Sequence, residues 1–435
     1  MKKTLALVVA MIMALSMAMF ATAETEKVEL DFWDMKWGGS TYVEFCQNLV
    51  EEFNNSQDEI HVTYQSIGWD GYYQTFLTSV TGGSAPDVSS GAFPQAVQYA
   101  AMGEILDLSP IWDKWVAEND PILEDYTLTE DVIKMETYGD TLAGLPWNQD
   151  PRSFWYNKEA FDQAGITELP TTWDEFLECC EKIKTNTDYI PVVLPGNDQN
   201  CTQFFIGLMI QNGCGFSNAD ATGAFENVDQ LAECFEFIGK MYENGYLAEG
   251  CAGYTGDDAK AIFLSEKAAI FYAGPITEMN EEGYEEVAEK IFALPPMTGP
   301  SGTEAVNYVW PNYMMAWSQT EHPEEALTFL EWWIKNCYKI YEAGEMASLP
   351  VMASTFESDF YADDKNAQQC LDVVLPGAKG PVSPASVLYV EWATIEGEQY
   401  ANPGFQAITT GETTDYASLA QEILDNVQYL FDENA

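Results

Sequence analysis

The stretch of sequence that decides the fold covers residues 28–64 and reads VELDFWDMKWGGSTYVEFCQNLVEEFNNSQDEIHVTY. From Val28 to Trp33, apolar and polar side chains alternate, and this alternation predicts a β-strand. Residues 42–54 place their apolar side chains on one face of a helix. Residues 60–64 alternate again and predict a second strand. Strand and helix in this rhythm indicate an α/β architecture with a largely parallel sheet.

The same rhythm continues further along the chain. Thr172, followed three residues later by Glu175, forms a capping box that predicts the start of a helix. Gly245 is typical of a helix stop. Further helices are predicted at residues 72–80, 228–243, 323–335 and 416–431. We therefore expect two α/β lobes that are joined near residues 140–150.

Composition excludes several classes of protein. The chain has 435 residues with 70 acidic side chains against 18 Lys and Arg, so its formal net charge is -52. Nucleic acids and anionic membrane surfaces are recognised by clustered Lys and Arg, which this chain lacks. A hydrophobic content of 47% and an aromatic content of 14% exclude a disordered acidic protein. Length corresponds to two or three domains of about 150 residues each.

The N-terminus has the features of an export signal. Two lysines precede an apolar run at residues 5–20, which ends in Ala21-Thr22-Ala23. This pattern predicts that residues 1–23 are a secretory signal peptide, and the run is too short to favour a membrane anchor. We therefore expect an exported protein, periplasmic or extracellular.

Nine cysteines are present, an odd number without any C-x-x-C motif. Cys179 and Cys180 are adjacent in a predicted helix, where they cannot be assigned to a disulfide framework from spacing. The sequence favours cysteines that act mainly as small buried apolar residues.

Several different short motifs follow one another along the chain. They are Gly82-Gly83-Ser84-Ala85-Pro86-Asp87-Val88, Gly103 to Leu108, Gly144-Leu145-Pro146 with Tyr156-Asn157-Lys158, Leu169 to Phe176, Ala261 to Gly274, His322 to Ala326, and Leu349-Pro350-Val351. In order and spacing they resemble the extracellular solute-binding proteins of ABC importers, the family that includes the maltose-binding protein.

The resemblance implies a two-lobed periplasmic-binding-protein fold with the ligand in the cleft between the lobes. It places residues 24–148 and 303–350 in the N-terminal lobe, and residues 149–302 and 351–435 in the C-terminal lobe. It also implies a carbohydrate ligand, an ABC permease as partner, no cofactor or metal, and a monomer. One departure concerns the lipidated cysteine that often follows the signal in such proteins. Here the first cysteine is Cys46, so we expect no lipid anchor.

A sugar site needs flat aromatic rings for the sugar faces and carboxylates, amides or Arg for the hydroxyls. The loop after the first strand contains Asp34, Lys36 and Trp37. The resemblance places charged ligand contacts in this loop, and open α/β sheets bind ligands at such strand ends. The alternative interpretation is a surface turn with Trp33 buried.

Two further candidate clusters lie in the first lobe. Trp69 and Asp70 occupy a loop that members of the family often use, although Trp69 is equally suited to pack on the following helix. Phe93 follows the Pro86-Asp87-Val88 motif, where the resemblance brings the lobe to the cleft. A core position is the alternative for Phe93.

The segment between Pro146 and Tyr156 has the same length as in the maltose-binding protein, and this spacing gives Asp150 the position of a sugar-binding carboxylate. Trp147 opens the segment, and Arg152 is the single arginine of the chain. Side chains two apart on a strand share a face, so an ion pair between Asp150 and Arg152 is the alternative interpretation.

In the second lobe, Asn197 and Asp198 match a sugar-contacting loop of the family, with turn-forming residues as the alternative. The resemblance also places a stacking aromatic where this chain has Ile276. Tyr272, Trp310 and Trp392 are the candidates to supply that ring instead.

Two functions other than sugar binding fit parts of the sequence. The same fold would suit a cationic solute such as a polyamine, because aspartates and aromatic rings can form a cation-binding box. A secreted glycosidase is the rival from another class, since paired carboxylates are plentiful. The motifs G-x-S-x-G, H-E-x-x-H and G-x-x-x-x-G-K-[ST] are absent from the sequence.

Overall fold

The structure is a computed structural model that describes residues 27–39, 41–69, 72–91, 94–280 and 283–434. The predicted signal peptide, residues 1–23, lies outside the described residues, as do the site candidates Asp70 and Phe93.

The strands alternate with helices in the first part of the chain, as the sequence predicts. The strands are β1 (Val28–Met35), β2 (Ile60–Ile67), β3 (Val88–Gly91), β4 (Thr137–Tyr138), β5 (Thr141–Leu142), β6 (Leu145–Asn157), β7 (Ile190–Val193), β8 (Ala268–Ala273), β9 (Ile291–Ala293), β10 (Tyr308–Ala316) and β11 (Leu349–Pro350).

Almost all of the elements in the C-terminal third of the chain are helices. The α-helices span Tyr42–Ser56, Tyr72–Thr81, Gln95–Ala101, Ser109–Glu118, Ile122–Asp125, Glu130–Ile133, Lys158–Ala164, Trp173–Asn186, Gln199–Gln211, Val228–Glu243, Gly256–Leu264, Glu285–Ala288, Pro323–Asn336, Tyr338–Glu342, Ala353–Phe356, Asp359–Ala362, Lys365–Gln369, Trp392–Gly397, Asn402–Thr409 and Tyr416–Asn434. Short 3₁₀ or π turns span Cys251–Gly253, Thr277–Asn280 and Cys370–Val374.

Local sequence signals account for several of these boundaries. In the helix Trp173–Asn186, the Glu175 amide donates to the Thr172 hydroxyl at 3.3 Å, and the Thr172 amide donates to the Glu175 carboxylate at 3.2 Å. The predicted capping box is therefore confirmed. Gly245 follows the helix Val228–Glu243 with a φ of 64°, a left-handed conformation that glycine adopts without strain.

The main sheet has the order β2-β1-β3-β10-β6-β8-β7, with β9 and β11 also paired to β6. β1 runs parallel to β2 and β3, and β7 runs parallel to β8. β6 and β10 are antiparallel to each other and to their other neighbours, so the prediction of a largely parallel sheet is only half right. The reason is that the chain passes from one lobe to the other along β6 and returns along β10.

Two hydrophobic cores pack against these crossing strands, and both include side chains of β6 and β10. One packs around Phe32 and Trp333, and the other around Phe154 and Phe176. Helices alternate with strands in both halves of the chain, and the crossing strands β6 and β10 connect the two halves of the sheet, so the predicted two-lobed α/β architecture is confirmed. The exact division of the chain between the lobes stays a prediction, because β6 belongs to both.

All nine cysteines are buried and free, which confirms their predicted role as small apolar residues. Cys179 and Cys180 lie in the helix Trp173–Asn186 as expected. Burial raises the pKa of the Cys179 thiol to about 11, so at neutral pH it is uncharged and a weak nucleophile.

One buried carboxyl group makes folding stability depend on pH. Glu136 is fully buried, and burial raises its pKa to about 8, although the amide of Val97 donates to it at 2.9 Å. Between the unfolded pKa near 4.5 and this value, the folded state holds a proton that the unfolded state has lost. The stability contributed by this group is therefore lost as the pH rises, by at most about 1.4 kcal/mol per pH unit.

We expect the wild-type protein to lose more unfolding free energy between pH 5 and 8 than Glu136→Gln, which cannot ionise. Urea denaturation at several pH values measures both slopes. If the unfolding free energies of the two proteins changed equally with pH, the raised pKa of Glu136 would be contradicted.

Candidate functional site

A cleft of about 630 Å³ lies where the two lobes meet at the crossing strands. Its walls come from loops of both lobes and from β6 and β10. Five of the residues predicted from the sequence line it, namely Lys36, Trp37, Trp69, Asp150 and Arg152. A second cavity of about 690 Å³ lies on the outer surface of the first lobe. None of the predicted residues line it.

Trp37 is held in the cleft wall by a buried hydrogen-bonded chain. Its indole Nε1 donates to the Ser90 hydroxyl at 3.0 Å, and that hydroxyl donates to the Asp34 carboxylate at 2.6 Å. Tyr42 and Tyr64 donate to the other carboxylate oxygen at 2.7 and 3.0 Å. Ser90 therefore bridges the Asp34 carboxylate and the Trp37 indole, and this bridge fixes the position of the ring.

Asp34 itself has no surface open to the cleft, because its side chain is fully buried. Burial raises the pKa of its carboxyl to about 6, while the hydrogen bonds from Ser90, Tyr42 and Tyr64 favour the ionised form. In this conformation Asp34 positions Trp37 through Ser90, and its contact with ligand stays a prediction. The sequence could not distinguish the two, since both put an aspartate at the end of the first strand.

Trp69 presents the most exposed aromatic ring of the cleft, with 43% of its surface accessible. Its ring stands edge-on to Trp37, with 4.9 Å between the centroids, and its Nε1 donates to the carbonyl of Lys36 at 2.8 Å. Lys36 is also exposed. A flat apolar face beside a cationic side chain can bind both a sugar ring and its hydroxyls.

Asp150 and Arg152 project from the same face of β6 and form an ion pair, which confirms the alternative interpretation of this segment. The Arg152 Nη1 also donates to the Asn200 side chain of the second lobe at 3.1 Å. The Arg152 side chain is 11% exposed and that of Asp150 is 24% exposed. Arg152 therefore joins the crossing strand to the second lobe, while Asp150 keeps part of its surface in the cleft.

Two glycines give these polar groups their space. A Cβ atom on Gly274 would lie 2.0 Å from Asp150 Oδ1, and one on Gly256 would lie 2.4 Å from Asn200 Nδ2. Any larger residue would displace these side chains from the cleft wall. Both glycines line the cleft.

Asp198 lies behind the cleft wall and holds the loops of the second lobe together. Its carboxylate accepts from the amide of Asn200 at 2.9 Å, as the N-cap of the helix Gln199–Gln211, and from the amide of Gly256 at 2.7 Å. Asn197 is exposed and does not line the cleft. The turn-forming alternative therefore describes Asp198, whose contact with ligand stays a prediction.

Four predicted aromatic residues are buried in the cores instead of lining this cleft. Trp147 lies behind Trp37, with 5.9 Å between the rings, and is fully buried. Tyr272 packs on Phe154 at 4.9 Å. Trp310 and Trp392 pack on each other at 6.4 Å. Their ligand contacts stay predictions that this conformation does not support, because burial leaves them little accessible surface.

Several cleft residues were missed by the sequence analysis. They include Asn312, Lys260, Asp257 and Phe271, together with Ile276 at the position of the expected aromatic ring. Asn312 could have been predicted from the sequence, because it is the one amide in the otherwise apolar and aromatic strand β10. Lys260 lies on the helix Gly256–Leu264, where a lysine in the sequence looks like any surface residue.

The described part of the chain has neither a membrane-spanning helix nor a cluster of metal ligands. No helix among these residues has the length and hydropathy of a membrane span. The described His, Cys, Asp and Glu side chains form no group of three or more that could hold a metal ion.

Comparisons with known proteins relate the whole fold to other chains. A curated relative, the erythritol/L-threitol-binding protein of Mycolicibacterium smegmatis, is 24% identical over 399 residues, which cover 82% of this chain and 80% of the relative. The crystal structure of a sugar transporter from Arthrobacter chlorophenolicus with bound laminaribiose matches with a TM-score of 0.75 and 25% identity, covering 92% of this chain and 99% of that one.

The sugar-binding protein MalE of Xanthomonas citri has the same fold, with a TM-score of 0.77 and 20% identity over 94% of this chain and 98% of that one. The sequence model of the family described as bacterial extracellular solute-binding protein matches residues 39–338. That segment is more than half of the chain and includes both crossing strands. The chain belongs to the family of bacterial extracellular solute-binding proteins.

Proposed function

We propose that the protein is the substrate-binding subunit of an ABC importer and captures a saccharide in the cleft between its lobes. The observation that carries this proposal is the exposed ring of Trp69 in the same cleft as the Asp150–Arg152 pair. An aromatic face and a paired carboxylate and guanidinium are the groups that bind the faces and the rim hydroxyls of a sugar.

The charges of the cleft favour a sugar over a polyamine. Lys36, Arg152 and Lys260 line it, against the carboxylates of Asp150 and Asp257. Asp150 is already neutralised by Arg152, and Asp257 by Lys260 at 3.1 Å. A polycation would meet repulsion here despite the net charge of -52.

The comparisons support the same ligand class. The relatives with named ligands include binders of laminaribiose and of erythritol or L-threitol, all of them polyhydroxylated compounds. In our proposal the ligand stabilises the closed arrangement of the lobes, and the closed protein docks on a membrane permease as an exported monomer. Family membership also favours binding over glycoside hydrolysis.

A thermal-shift screen tests this proposal, because a ligand that binds only the folded state raises its stability. The panel contains neutral mono- and oligosaccharides, a uronate disaccharide, spermidine and a peptide mixture. We expect a shift with at least one saccharide and none with spermidine. A shift with spermidine alone would refute the sugar proposal, and turnover of a labelled oligosaccharide would favour a glycosidase.

A further inference from the structure

The charges that line the cleft differ in balance from those of the chain as a whole. The chain has 70 acidic side chains against 18 Lys and Arg. Among the described residues that line the cleft, basic side chains outnumber carboxylates, with Lys36, Arg152 and Lys260 against Asp150 and Asp257. A wall with the average composition of this chain would be strongly acidic. The excess of basic groups therefore points to the charge of what the cleft binds.

Ion pairs within the cleft wall leave one of these basic groups over. Asp150 pairs with Arg152, and Asp257 pairs with Lys260 at 3.1 Å. Lys36 has an exposed side chain and forms no ion pair within the described ranges. Three positive and two negative groups leave one positive charge, and Lys36 carries it.

Lys36 differs in this respect from most lysines of the chain. Ten other lysines form ion pairs within the part of the chain that the structure describes. The carboxylate nearest to Lys36 in sequence is that of Asp34, which is fully buried and accepts hydrogen bonds from three hydroxyl groups instead. The ammonium group of Lys36 is therefore available to a group from outside the chain.

The backbone ties Lys36 to the aromatic face of the cleft. Its carbonyl accepts a hydrogen bond from Trp69 Nε1 at 2.8 Å, and the Trp69 ring is exposed. A sugar ring that stacks on this indole therefore lies beside the residue that carries the ammonium group. An acidic substituent of that sugar can bind the ammonium group while the ring stays on the aromatic face.

We propose that the ligand is an anionic carbohydrate whose acidic group binds Lys36 while a sugar ring stacks on Trp69. This inference rests on the proposed function and names the charge class of its ligand. The acidic group is a carboxylate, as in a uronate, or a phosphate, since both present the anionic oxygens that an ammonium group binds. Lys36 is then the residue that distinguishes an acidic sugar from its neutral counterpart.

Electrostatics gives this contact its selectivity. A hydrogen bond between an ammonium group and an anionic oxygen is roughly twice as strong as one between neutral groups. The net charge of -52 repels an anion at a distance, but salt screens exposed charges that are farther apart than about 8 Å at physiological ionic strength. The local contact with Lys36 therefore decides the affinity for the acidic group, while a neutral sugar leaves the lysine in water.

The test is calorimetric titration of matched neutral and acidic ligands. The panel compares glucose with glucuronate and with glucose 6-phosphate, galactose with galacturonate, and galactobiose with digalacturonate. We expect the wild-type protein to bind an acidic member at least about tenfold more tightly than its neutral counterpart, the effect of one charge-assisted hydrogen bond. Raising the salt concentration should reduce this difference, because salt screens an exposed contact between charges.

Two variants of Lys36 and one control accompany the titrations. Lys36→Met removes the charge and keeps the backbone carbonyl that binds Trp69, so we expect the ratio of acidic to neutral affinity to fall about tenfold. Lys36→Arg keeps the charge and should keep most of that ratio. Neither variant should change the melting temperature without ligand, because the side chain is exposed and has no ion pair within the described ranges. Lys182→Met removes an exposed lysine of the helix Trp173–Asn186, outside the cleft, and should keep the wild-type ratio.

The outcomes separate this inference from the proposed function. Preference for the uronates assigns a carboxylate as the acidic group, and preference for glucose 6-phosphate assigns a phosphate. If neutral saccharides bind as tightly as acidic ones, or if Lys36→Met keeps the wild-type ratio, the inference is overturned and the proposed function stands. If the wild-type protein binds no carbohydrate of either kind, the proposed function fails and the inference with it.

Discussion

Replacing Arg152 with methionine is expected to lower the free energy of unfolding by about 3 kcal/mol, because it leaves the carboxylate of Asp150 without its partner. The Asn200 side chain loses its donor in the same step. Asp150 keeps 24% of its side chain accessible, so water offsets part of the cost, and we place the effect at the lower end of the range for buried pairs. Urea denaturation without ligand measures the change.

Two further variants sharpen this test. Lys158→Met removes an exposed i,i+4 ion pair with Asp162 and should cost less than about 0.5 kcal/mol. The lysine in Arg152→Lys keeps the positive charge, but it lacks the planar guanidinium group that contacts both Asp150 and Asn200. We therefore expect this variant to lose an intermediate amount of unfolding free energy. If Arg152→Lys left both stability and ligand affinity unchanged, the position of the single arginine beside Asp150 would be without consequence.

Replacing Trp69 with alanine is expected to weaken saccharide binding by at least about tenfold while changing stability little. The ring is 43% exposed, so the folded protein without ligand gains little from it. A bound sugar would cover that surface and gain the burial of the indole face. Calorimetric titration with the best ligand of the thermal-shift screen measures the affinity.

Two controls accompany Trp69→Ala. Tyr429→Ala removes an aromatic ring that is 60% exposed on the C-terminal helix, far along the chain from every cleft residue, and should leave affinity unchanged. Trp69→Phe keeps an aromatic face but loses the hydrogen bond to the Lys36 carbonyl, so a smaller loss is expected. Equal affinities for wild type and Trp69→Ala would remove the stacking face from the proposed site.

Most of the fold could be predicted from local patterns in the sequence. Alternation at Val28 to Trp33 and the helical face of residues 42–54 depend on neighbours in sequence, and the capping box at Thr172 involves groups three residues apart. Such signals are local because secondary structure is periodic. What they could not provide was the direction of β6 and β10, since antiparallel crossing is a property of the path between the lobes.

The candidate site could be predicted from the sequence only in part. Lys36 and Trp37 were predicted because the loop after the first strand is a ligand-binding position in open α/β sheets and in the family, Trp69 because members of the family often use its loop, and Asp150 because of its spacing within a family motif. Trp147 was expected to contact ligand, yet it lies in the core behind Trp37. A tryptophan that stacks on a ligand and one that fills a core look the same in sequence, because the side chain is the same and only its burial in the folded protein differs.

The sequence by itself determined the α/β class, the acidic and aromatic composition, the family and the presence of one arginine beside an aspartate on a strand. Only the tertiary structure decided which of these residues share a cleft. It joined Arg152 of the crossing strand to Asn200 of the second lobe, buried Asp34 behind Ser90, and brought Gly274 against Asp150. The physical reason is that these contacts link residues 48 to 124 positions apart, and only the tertiary packing of the chain brings them together.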